Sequence, residues 1–181
     1  MSNNFAGIIL AAGKSERFGR NKMLEKLEGK SFLAILLEKI SKFSLKSVVV
    51  YHYEEILSQL DDRVVPVHNP SPEKGQFESI RLGLSEVGDT DGFLLFLGDM
   101  PLIQNRTIEK LIQCAKGNPN SICGPSYKGS LGHPTFFPSN LYDEFYKPQA
   151  EGARTIVHSR EVVTFESDDP FTKIGVNTEE E

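Results

Sequence analysis

Short runs of β-branched and aromatic residues alternate along this chain with longer stretches of helical period, and that alternation constrains the fold more than any other feature. Strands separated by helices form βαβ units, and such units build a mainly parallel sheet covered on both faces. Residues 5–11 form the first apolar run. A helix is predicted over 31–43, with Phe32, Ile35, Leu36, Ile40 and Phe43 on one stripe. The run 47–53, SVVVYHY, is an uninterrupted and therefore central strand, followed by a short helix over 54–60. Pro66 gives the strand 64–68 an edge position or an irregularity, and 69–75 is a loop by composition.

The second half continues the pattern. A helix is predicted over 76–87 with Phe77, Ile80, Leu84 and Val87 inward, and 92–97, GFLLFL, is the most apolar strand and so lies mid-sheet. A helix over 107–116 turns Ile108, Leu111, Ile112 and Ala115 inward. Strands at 121–124 and 135–137 flank a glycine-rich loop, short helices follow at 141–146 and 153–159, and 161–165 is the last strand. The polar, acidic tail from Asp168 to the end reads as frayed. Right-handed crossovers then give one doubly wound, three-layer α/β domain over 1–181. In such a fold ligands sit beyond the carboxyl ends of the strands, so residues just after strands are the first candidates for a site.

Composition excludes several classes. A formal net charge of −5 gives no global electrostatic case for nucleic acid or an anionic membrane, so an anionic ligand needs locally concentrated positive charge. The first apolar run is too short for a membrane span or a signal core and has no basic segment before it, which predicts a cytoplasmic protein. Cys114 and Cys123 have neither metal-like nor redox-like spacing.

The stretch 8–22, IILAAGKSERFGRNK, supplies the local charge. Its strand ends in Ala11, Ala12 and Gly13, whose small side chains let backbone N–H groups approach phosphate oxygens. Lys14, Arg17, Arg20, Lys22 and Lys26 follow, opposed by Glu16 and Glu25. Arginine forks and lysine point charges suit a phosphoryl group and a leaving pyrophosphate, although a solvated basic loop has the same composition. A P-loop would need glycine at position 8, which is Ile8, and a dinucleotide fingerprint needs one more glycine than Gly13 and Gly19 supply. A second candidate, Gly98-Asp99-Met100-Pro101, follows the most apolar strand. Its carboxylate is placed to bind a hard cation such as Mg²⁺, or equally to cap a turn.

LAAGKSERFGRNKML, 10–24, resembles the LAAGxSxRFGxxKxL opening of nucleotidyltransferases of the molybdenum-cofactor type, and GDMP resembles their metal-binding turn. NPSPEKGQFESIRLGL from Asn69, GHPTFFP from Gly132 and EGARTIV from Glu151 resemble the same family. Ala12, where the guanylyltransferase branch tends to show a second glycine, looks like the cytidylyltransferase branch. The resemblance implies a three-layer Rossmann-like nucleotidyltransferase fold with a mainly parallel mixed sheet. It implies that Arg17, Lys22 and Asp99 carry the chemistry, with Mg²⁺ on Asp99 and on Asn177 of VNT. Thr178 is followed by Glu179 rather than the family's proline.

Nucleotide contacts are implied at Leu10, Ala11, Ala12, Gly13, Lys14 and Lys22, and base recognition at Gly75 and Ser79, which read equally as an ordinary loop and helix start. His133 corresponds to a position near the acceptor pocket. The implied reaction transfers CMP from CTP to a phosphate-bearing acceptor such as molybdopterin. A sugar phosphate acceptor, a non-catalytic nucleotide-binding cofactor chaperone, and a nicotinamide oxidoreductase are the alternatives.

Overall fold

Alternation on the strands decides the layers. The computed structural model describes residues 4–13, 21–147 and 152–175. In β1 (Phe5–Ala11), Phe5, Ile9 and Ala11 enter one core while Ala6, Ile8 and Leu10 enter the other. Every residue of β1 is buried, as a strand covered on both faces must be. The chain continues through a small hairpin, β2 (Lys26–Leu27) and β3 (Lys30–Ser31), into α1 (Phe32–Ser41). It then forms β4 (Lys46–Tyr51), β5 (Val64–His68), α2 (Gln76–Leu84), β6 (Gly92–Leu97) and α3 (Asn105–Gly117). The last third supplies β7 (Ile122–Tyr127), β8 (Ser130–Leu131), β9 (Thr135–Pro138), α4 (Ala153–His158) and β10 (Val162–Glu166).

Among the described residues, the main sheet runs β10-β7-β9-β6-β1-β4-β5, with β8 paired to β7. β6, β1, β4 and β5 are mutually parallel, and β10 is parallel to β7. β9 is antiparallel to both its neighbours and joins the two parallel groups. The expected mainly parallel α/β sheet is therefore present, β6 lies mid-sheet, and β5 with its Pro66 is an edge strand. Two features are absent from the expectation: the hairpin β2–β3 and the antiparallel insertion of β9. The segments 54–59 and 139–146 are 3₁₀ rather than α-helical.

Helices fill both faces. α1 and α3 pack Leu33, Leu36, Ile40, Ile108, Leu111 and Ala115 against Ile9, Val49, Leu94 and Phe96. On the other face, Ile80, Leu84, Leu141, Phe145 and Ile156 pack against Ile8, Val48, Val50, Phe93 and Phe137. In α1 it is Leu33, not the predicted Ile35, that is fully buried, because the Ser31 cap sets the rotation of the helix with its hydroxyl accepting from Ala34 N. The tail departs most from expectation. Asp169 and Thr172 are wholly buried, so residues 169–172 are packed into the fold rather than frayed, while Lys173 and Ile174 are exposed.

Candidate active site

Strand direction gathers the site. β5, β4, β1 and β6 point their carboxyl ends to one side of the sheet, where Asn69, His52, Ala12 and Asp99 emerge. Because β9 runs the other way, the residues preceding it, His133 and Pro134, arrive at that same side.

Asp99 follows β6 at the point where the ladder continues one step further, with Gly98 N donating to Leu10 O at 2.9 Å. That step needs glycine. A Cβ at position 98 would stand 2.7 Å from Leu10 O and 2.5 Å from Met23 Sδ. Met23 belongs to a 3₁₀ turn, Lys22–Leu24, capped by the Asn21 side chain, which accepts from Met23 N. Burying Met23 against Gly98 brings the preceding residue, Lys22, over Asp99, and Nζ lies 3.4 Å from Oδ2. The Lys22 side chain is 11% exposed and that of Asp99 33% exposed, so the carboxylate retains an open side.

The other predicted residues divide by what holds them. Leu10 and Ala11 are still paired within the sheet, and Ala12 and Gly13 are the first residues beyond the strand. A Cβ on Gly13 would meet nothing within 4 Å among the described residues, which leaves open space beside that backbone. Gly75, at φ +86, occupies backbone space that strongly favours glycine and opens α2. Ser79 is buried and its hydroxyl accepts from Asn69 Nδ2 at 2.9 Å, so it supports the Asn69 loop. Arg81, which the sequence reading gave no role, donates to Phe145 O at 2.6 Å and lies over the Phe77 ring, bracing α2. Lys14, Arg17 and Asn177 lie outside the described residues.

His133 donates its backbone N–H to Thr172 O at 2.8 Å. Among the described residues its buried Nδ1 has no hydrogen-bond partner. Burial, with the positive charge of Lys173 adding to it, holds this imidazole below the usual histidine range, while the Asp99 carboxylate acts in the opposite direction. A neutral ring beside a carboxylate and an ammonium follows.

Sequence reasoning missed three contributors. Lys39 of α1 reaches across to donate to Pro101 O and Ile103 O, at 2.7 and 2.8 Å. Asn69 is fully buried and fastens the loop before α2 through Ser71 N and Ser79. Asp169 accepts from Gln104 N and Thr107 Oγ1. These bonds are long-range or turn-forming and leave no periodic trace. A polar side chain on the buried stripe, as Thr107 is one turn before Leu111, was the available signal.

Among the described residues no group of three or more His, Cys, Asp or Glu could enclose a metal. One partly open carboxylate nonetheless fits a hard divalent cation that takes its other ligands from substrate phosphates and water. No helix is long and apolar enough to cross a membrane among the described residues.

The sheet order and the strand-end site define an α/β protein of the Rossmann-like nucleotidyltransferase fold. Residues 7–164 match the MobA-like NTP transferase domain, and the chain belongs to that family. A probable molybdenum cofactor guanylyltransferase of Natranaerobius thermophilus is 33% identical over 114 residues, which span 62% of this chain and 55% of that protein's length. The purine catabolism protein PucB of Bacillus subtilis is 29% identical over 168 residues, covering 84% of this chain and 80% of PucB. The crystal structure of Rv0371c from Mycobacterium tuberculosis superposes with a TM-score of 0.84 at 22% identity, covering 98% of this chain and 95% of that one. A manganese complex of the same mycobacterial protein superposes at 0.72, with 22% identity over 92% of this chain and 89% of that one.

Proposed function

We propose that the protein transfers CMP from CTP to a phosphate-bearing acceptor such as molybdopterin, releasing pyrophosphate. An acceptor phosphate oxygen attacks the α-phosphorus, the bond to the β-phosphate breaks, and pyrophosphate leaves with that bond's electron pair. The observation that carries the reading is the Lys22–Asp99 pair, with Asp99 just beyond β6 and Lys22 in the 3₁₀ turn whose Met23 packs against Gly98 beside the end of β1.

The proposed roles follow from position for the described residues and from the family resemblance for Lys14, Arg17 and Asn177. Ala12 and Gly13 present backbone to the triphosphate, and Lys22 offers a partly desolvated ammonium to its oxygens. Asp99, with its open side, would hold Mg²⁺, and Asn177 is the proposed second ligand. Bound there, the cation would supply charge neutralisation on phosphate oxygens. An acceptor phosphate is already ionised, so no strong general base is required. His133, neutral and with Nδ1 unpaired among the described residues, is suited to orient the acceptor by a hydrogen bond. Arg17 and Lys14 would add charge on the leaving side.

Names among the relatives point to GTP, whereas Ala12 favours CTP, so the triphosphate is chosen by experiment. Pyrophosphate release is measured with Mg²⁺, molybdopterin and either CTP or GTP, with a sugar phosphate as the competing acceptor. The expected result is turnover with CTP and molybdopterin, reduced by about 100-fold or more in Lys22→Ala and Asp99→Asn. Wild-type rates in both variants would overturn the residue roles, and turnover with GTP alone would overturn the reading of Ala12.

A further inference from the structure

The tail that composition marks as frayed is tied to the site by one buried carboxylate. Asp169 is 0% exposed. Its Oδ2 accepts from Gln104 N at 2.9 Å and from Thr107 Oγ1 at 2.6 Å, and its Oδ1 accepts from Phe171 N at 3.0 Å. The first two donors belong to the start of α3, the element reached directly from the Asp99 turn. No side chain from Gln104 itself caps that helix, so a residue 65 positions away takes the place of a local cap. The intervening loop is gripped from the other side by Lys39 through Pro101 O and Ile103 O.

The same anchor carries contacts towards the site. Thr172, also 0% exposed, donates its hydroxyl to Asp169 O at 2.9 Å and accepts from His133 N at 2.8 Å. Thr172 packs so closely on Gly132 that a Cβ there would stand 2.7 Å from the Thr172 carbonyl oxygen. Lys173 donates to Leu131 O at 2.9 Å. Three residues beyond Thr172, Gly175 lies against the Asp99 carboxylate, where an added Cβ would stand 3.0 Å from Oδ2.

We propose that Asp169 is a positioning residue that fixes Asp99 and His133 relative to one another, by fastening residues 170–175 at once to the start of α3 and to the His133 loop. Two loops, 98–104 and 132–134, enter the site from distant parts of the chain, and neither touches the other through its own hydrogen bonds among those described. Asp169 and Thr172 supply the connection, and the Gly175 backbone then forms one wall of the carboxylate. A carboxylate is suited to this because it accepts from several donors at once, and being acceptor-only it leaves no proton of its own to satisfy. The inference rests on the reading of Asp99 as the metal-binding residue.

Asp169→Asn, Thr107→Val and Asp99→Asn in the whole chain of 181 residues are compared with wild type, with Leu141→Ala as a core substitution on the opposite face of the sheet. Amide exchange is followed over 98–104, 131–135 and 170–175, and Mn²⁺ binding is read by electron paramagnetic resonance with CTP and, separately, GTP. Expected for Asp169→Asn are faster exchange in all three segments and Mn²⁺ binding weakened by about 10-fold or more. Thr107→Val, which removes one donor and keeps the shape, moves both readouts the same way by less. Leu141→Ala lowers the melting temperature and leaves Mn²⁺ binding as in wild type. Wild-type exchange at 98–104 and 131–135 in Asp169→Asn and Thr107→Val, or Mn²⁺ loss that merely follows melting temperature as in Leu141→Ala, would overturn the proposal. If Asp99→Asn binds Mn²⁺ as wild type does, the metal reading falls, and the exchange data decide the anchoring by themselves.

Discussion

Single positions in this protein are fixed by how closely backbone approaches backbone. Gly98 allows β6 to bond one residue beyond its end, and Gly98→Ala is expected to force Leu10 and Met23 apart. The stability loss should be about 1–3 kcal/mol in urea denaturation, with the Lys22–Asp99 spacing disturbed. His133 gives a pH dependence whose sign can be stated. Its folded-state affinity for a proton is below that of the unfolded chain, so the unfolded state takes up the proton first as pH falls. Stability contributed by the neutral ring is present above about pH 6.5 and is lost progressively below it, and His133→Asn should flatten that part of a melting curve measured between about pH 7 and 5. Lys173 and Asp99 bear on this ring with opposite signs, so Lys173→Gln should narrow the loss. Resemblance to the family's motifs nominated Asp99, Lys22, Gly75 and His133 without coordinates. It could not reveal that Ser79 spends its hydroxyl on Asn69, because that bond depends on where two loops meet.

At the level of elements, helix α1 does more than cover the sheet. Its Lys39 secures the loop after β6, and burial holds that amine below the usual lysine range while Asp169 opposes the shift. Lys39→Met keeps the stem and deletes the donor, leaving two loop carbonyls without this partner. A loss of about 1–3 kcal/mol is expected, read by urea denaturation together with faster amide exchange in 101–104. Strands and helices were legible because burial on both faces imposes apolar runs such as GFLLFL, and burial on one face imposes helical stripes. Strand order was not legible. Phe136 and Phe137 announce a strand sandwiched between two cores, yet nothing in their spacing says that β9 enters between β6 and β7 and runs against both. The tail failed for a related reason: Asp169 and Thr172 are polar, and their burial is made favourable by partners distant in sequence, 62 and 65 residues from Asp169, and by a turn bond from Thr172 to Asp169.

For the molecule as a whole, the two cores share one sheet, so unfolding probes on either face should report a common transition. The proposed site at the carboxyl ends draws on both groups of parallel strands, so a ligand that needs the folded site should stabilise all of it. CTP with Mg²⁺ at about 100 times its dissociation constant should add about 2.7 kcal/mol, seen as a raised melting temperature that is absent in Asp99→Asn. A triphosphate that gives no shift in wild type is not the substrate. The antiparallel strand β9 also sets an order of assembly. Synthesis delivers β1, β4, β5 and β6 first, and these can pair among themselves while β7 has no parallel partner in that group. β7 and β10 join the sheet through β9, so the open edge of β6, with its backbone groups unpaired and its face rich in phenylalanine and leucine, awaits residues 135–138. A ribosome-bound chain that stops short of them exposes a sticky apolar edge, which makes this interval of translation the one at which the protein most needs shielding from its own copies.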